Sequence, residues 1–106
     1  MAAEHPIFAE LAALLDDAAE TPLAELEHTL TAGYAAALEL ESERLRIERR
    51  ISEAATLLGD GNGAEGSHAR EIAKLARRLS TADATLSRLR GLLGELRTHA
   101  SAARAA

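Results

Sequence analysis

Glu25-Leu-Glu-His28 places a carboxylate and an imidazole one helical turn apart, the Glu-x-x-His spacing of di-iron bundle sites. Such a site needs further carboxylates facing inward. Here the pair flanks Leu26, which directs His28 outward, and the histidines at 5, 68 and 99 do not join it at ligand spacing. Asp60-Gly-Asn-Gly63 has the composition of the centre of a calcium loop. Aligned so, its first and twelfth positions fall on Leu58 and Ala69, where acids are required. Starting at Asp60 instead puts Glu71 at the twelfth place but Glu65 where glycine is needed. A glycine turn accounts for these residues. No nucleophile has a base at a spacing that a helix would bring together, and no Gly-rich phosphate loop follows a strand. The expectation is a chain without catalysis, metal or cofactor.

The remaining chemistry is cationic. Arg46, Arg49 and Arg50 are matched across the glycine-rich stretch by Arg70, Lys74, Arg77 and Arg78, relieved only by Glu48, Glu53 and Glu71. This zone suits a phosphate-bearing ligand such as a nucleotide, an acidic helix, or the acidic end of a second copy. Direct nucleic-acid binding is disfavoured, because the net charge is −5 and no aromatic residues interleave the arginines for stacking. Arg44 stands alone on an otherwise apolar seam. The expectation is that its stem is buried and its head reaches Glu41, Glu48 or Asp83, so that it sets register.

Asp83, Leu86-Ser87, Leu89-Arg90 and Leu92-Leu93 follow part of the pattern Glu-x3-Ser-x2-Arg-x3-Gln-x3-Asp. This stretch resembles helical-hairpin anti-sigma factors gated by cyclic di-GMP. It departs from them where Asp83 replaces Glu and where Gly94 and Thr98 stand at the Gln and final Asp positions. The resemblance implies a regulatory alternative, a hairpin that responds to a nucleotide ligand.

What positions these groups is legible from composition and period. A chain of 106 residues allows one domain with a small core. Phe8 and Tyr34 are its only aromatic residues, and Ala, Leu, Glu and Arg dominate, so closely packed helices are expected and an all-α fold follows. No cysteine is present, which excludes disulfides and thiolate chemistry. The first residues lack a basic region followed by an apolar run, and the longest uncharged stretch, 28–38, is too short to span a bilayer. The expectation is a cytoplasmic protein with no membrane contact.

His5-Pro6 opens a short amphipathic helix, about residues 6–18, with Phe8, Leu11, Leu15 and Ala18 on one stripe. Pro22 prevents its continuation. Thr21-Pro22 then starts a second helix, about 22–58, with Thr21 as its cap. Its seam reads Leu23, Leu26, Leu30, Gly33, Ala37, Leu40, Arg44, Ile47, Ile51, Ala54, Leu58, alternating three and four without a slip. Residues 59–67 form a glycine-rich link, with Ser67 as the cap of a third helix, about 68–104. There the seam runs Ile72, Leu75, Leu79, Ala82, Leu86, Leu89, Leu93, Leu96, Ala100, Ala103.

If residue i faces residue 126 − i, every seam position meets a seam position in an antiparallel coiled-coil hairpin. Charge agrees: residues 1–66 carry fourteen acids and four bases, whereas 67–106 carry three and eight. Two helices alone leave Tyr34, Leu38 and Leu45 on one helix, and Leu92 on the other, without cover. Either the N-terminal helix folds over them, or hairpins associate into a bundle, or a protein partner docks there. The expected function is a protein–protein interaction or adaptor module, dimeric, using that surface.

Overall fold

A computed structural model describes residues 4–60 and 65–106. All regular structure among the described residues is helical: α1 (Ile7–Asp16), a single 3-10 turn (Ala18–Glu20), α2 (Leu23–Gly59) and α3 (Glu65–Ala105). The long helix α2 packs against α3 as an antiparallel hairpin. The middle of the glycine-rich link, and with it most of the calcium-loop pattern, lies outside the described residues.

The helix starts differ from expectation in two places. Thr21 does not cap α2; its hydroxyl turns back and donates to the Asp17 carbonyl at 2.8 Å, closing the connecting turn. The Pro22 carbonyl instead accepts from the Glu25 and Leu26 amides at 3.0 and 3.2 Å. Ser67 lies inside α3, which begins at Glu65. Adding a residue to an existing helix costs far less than nucleating one, so α3 extends about two turns beyond its first seam residue, Ile72. At α1, Pro6 occupies the N-cap position, and the His5 imidazole Nδ1 accepts the Ile7 amide at 3.1 Å. That bond satisfies one of the unpaired amides of the first turn.

The chain divides into two compact units. Unit 1 comprises Met1–Glu39 and Ser87–Ala106, and so holds α1, the first part of α2 and the last part of α3. Its pairing is antiparallel, with Glu27 meeting Arg104 and Gly33 meeting Leu93. The second contact is the pairing that i and 126 − i gives. A Cβ at Gly33 would overlap the Leu93 side chain, so glycine is required for this approach. Phe8 and Leu11 of α1 are fully buried together with Leu26, Leu89 and Leu96. Unit 2 is Leu40–Leu86, a plain pair of helices. It too is antiparallel, with Arg44 meeting Asp83 and Arg50 meeting Glu71. Ile47, Ala54, Leu75 and Leu86 are buried, while Leu40, Ile51, Leu58, Ile72 and Leu79 are only half-buried.

Candidate functional site

The phase of an α-helix decides which flank each side chain occupies. In an antiparallel pair of right-handed helices, the residue before each seam position lies on one side of the pair on both helices. The residue after it lies on the other. We call these the leading and trailing flanks. Two cross-helix ion pairs between flank residues obey this rule. Arg50 and Glu71, at 2.9 Å, each precede a seam isoleucine, whereas Glu27 and Arg104, at 3.3 Å, follow Leu26 and Ala103.

In unit 1, α1 occupies the leading flank. Arg88, which precedes Leu89, places its guanidinium carbon 4.3 Å from the centre of the Phe8 ring and also binds Glu4. The His5 Nε2 approaches Glu39, which precedes Leu40, at 3.5 Å. Thr29 and Ala36, which precede Leu30 and Ala37, are accordingly buried. Leu92, expected on the open surface with Tyr34, precedes Leu93; it is half-buried on the leading flank and does not join that surface.

Among the described residues, the trailing flank of unit 1 has no such cover. Tyr34 and Leu38 follow Gly33 and Ala37 and remain 43% and 64% exposed. The N-terminal helix does fold back onto the hairpin, but on the opposite side from these residues. On α3, Gly94 follows Leu93 and so shares this flank, and Gly91 lies a turn earlier on the outer face. Both are inside a helix, and a Cβ at either would meet nothing within 4 Å. Each costs the helix about 1 kcal/mol relative to alanine. No packing among the described residues requires them, in contrast to Gly33. The sequence pattern alone does not separate these glycines from Gly33. The signal is the empty space beside them.

In unit 2, Leu45 follows Arg44 and is 49% exposed. Arg44 is half-buried and binds Asp83, and its Nη1 lies 3.1 Å from Glu48. The hydrogen bond and charge of Asp83, with the further charge of Glu48, raise the Arg44 pKa above its ordinary value. The guanidinium therefore stays charged, with its partners supplied inside the chain. Of the seven cations expected to form a patch, Arg46, Arg50, Lys74 and Arg78 precede seam residues and share the leading flank; Arg49, Arg70 and Arg77 lie on the outer faces. Only Arg50 has an ion-pair partner among the described residues.

Glu25 and His28 are both exposed, as an outward orientation requires. The same spacing recurs at Glu65-Gly-Ser-His68. Among the described residues no group of three His, Cys, Asp or Glu side chains is arranged to hold a metal ion. No helix among them is long and apolar enough to cross a membrane. No protein-family model, no curated protein and no solved structure matches this chain.

Proposed function

We propose that this protein is a non-catalytic interaction module that docks a helix of another protein on the trailing flank of unit 1. The observation that carries the reading is that an exposed ridge, Tyr34 and Leu38, shares one flank with a mid-helix glycine, Gly94, beside which a Cβ would meet nothing within 4 Å. Small residues let a foreign helix backbone approach closely, and the neighbouring ridge supplies apolar area for it to bury. Tyrosine is well suited to such a place, since it offers a large rigid face at low entropic cost and keeps its hydroxyl wet. The exposed ridge is an i, i+4 pair, so its two side chains act together on one face.

A photoreactive side chain at position 38, introduced in the producing cell, tests this. The expected result is a discrete adduct that is lost when Gly94→Leu fills the space, and that is absent when the probe is placed at Glu25, which precedes Leu26 and is exposed on the other flank. An adduct at position 38 that Gly94→Leu leaves unchanged, or no adduct at all, would remove the reading. An adduct between two copies of this chain would reassign the flank to self-association.

A further inference from the structure

The leading flank of unit 2 carries a different message. Among the described residues no third helix lies on it, Leu57 is exposed there, and the seam residues Ile51, Leu58, Ile72 and Leu79 beneath are only half-buried. Six cations on and beside it, Arg46, Arg49, Arg70, Lys74, Arg77 and Arg78, have no ion-pair partner among the described residues. The complementary charge exists elsewhere in the same sequence. Residues 40–86 carry eight acids and eight bases, so unit 2 is neutral in sum. Unit 1 carries nine acids and four bases, and therefore holds the whole net charge of −5.

The unit 1 acids concentrate at the end of α1. Asp16 and Asp17 sit at its C-terminus, with Glu20 in the following turn, and no basic residue lies in the last turn of the helix. The macrodipole disfavours acids there, and an external cation would relieve them. The outward side of α1 adds Glu10 and the exposed alanines at 9, 12 and 13. It is an exposed small-residue surface with an acidic rim.

We propose that the leading flank of unit 2 receives the outward side of α1 from a second copy of the chain. Ala9, Ala12 and Ala13 of one copy lie over Leu57 and the half-buried seam of the other, and Asp16, Asp17 and Glu20 meet the unpaired cations. An apolar centre inside a charged rim is the usual anatomy of such contacts. The complementary fields speed the encounter and fix its orientation. This contact is independent of the trailing flank of unit 1, which stays free for its partner.

Sedimentation of the whole chain at about 100 µM tests it, with charges screened over about 10 Å at 0.1 M salt and over about 3 Å at 1 M. The expected result is a dimer at low salt and a monomer at high salt. Arg46→Glu/Arg78→Glu and Asp16→Lys/Asp17→Lys are each expected to weaken association at least about tenfold, and an equimolar mixture of the two variants to restore it. Circular dichroism shows whether each variant keeps its helices. Tyr34→Ser is expected to leave the assembly intact. A monomer at all salt concentrations would overturn the proposal, as would a dimer indifferent to both salt and charge reversal, or variants that fail to rescue one another. A thermal shift with ATP or inorganic phosphate in a chain that remains monomeric would assign the cations to an anionic ligand instead.

Discussion

Units 1 and 2 are built from the same two helices with the same seam pattern, yet unit 1 buries its seam from Leu26 to Ala37 and from Leu89 to Ala100, while unit 2 leaves more than half of its seam residues partly exposed. In unit 1, Leu26 and Leu96 have no exposed surface, while in unit 2 the corresponding seam residues Ile51 and Leu79 stay partly wet. The difference is α1. A two-helix pair has one contact surface and leaves both flanks of every seam residue near water. A third helix laid along the leading flank closes one of them. The small residues Ala32 and Ala36 on that flank of unit 1 let α1 approach, where unit 2 has Arg46, Arg50 and Glu53. What the chain writes on each flank therefore decides what can lie there.

The largest expected effects test the contrast in burial. Leu96→Ala should cost about 3–5 kcal/mol in equilibrium denaturation, whereas Leu79→Ala should cost about 1–2 kcal/mol. Equal losses would break the comparison. Phe8→Ala should cost about 3–5 kcal/mol and release α1. Amide exchange should then quicken in residues 23–39 while residues 45–55 keep their protection.

The glycines should divide by location. Gly33→Ala forces the buried Leu93 side chain to move and should destabilise by about 1–3 kcal/mol. Gly91→Ala meets open space and should stabilise by about 0.5–1 kcal/mol. The smallest effect belongs to Arg44→Leu, which exchanges a half-exposed ion pair for apolar contact and should leave stability within about 1 kcal/mol. A loss of several kcal/mol would make the Arg44–Asp83–Glu48 network essential to unit 2.

Much of this architecture was legible in the sequence. The unbroken three-four spacing and the glycine-rich break specify the antiparallel hairpin, and complementary seams specify the register that Gly33 and Leu93 realise. Arg44 meets Asp83 and Glu48 because a single charge on an apolar seam must reach outward to them. The side chosen by α1 was not legible. Tyr34 and Leu92 look alike as leftover apolar residues, and only the opposite rotations from their neighbouring seam positions send one to the open flank and the other beneath α1. The glycines at 91 and 94 were equally mute, since a small residue on a helix reads the same whether the space beside it is filled or empty. Unpaired cations, too, are recognisable only once the available acids have found their partners.

The central claim is that α1 seals one flank of unit 1 and leaves the other open. Thiol labelling tests it without background, because the native chain contains no cysteine. Thr29 and Thr31 stand two residues apart on α2, the first buried on the leading flank and the second exposed. Thr31→Cys should react at the rate of a free thiol and Thr29→Cys at least about a hundredfold more slowly, the gap collapsing when Phe8→Ala is added. Equal rates at the two positions with Phe8 intact would contradict the account.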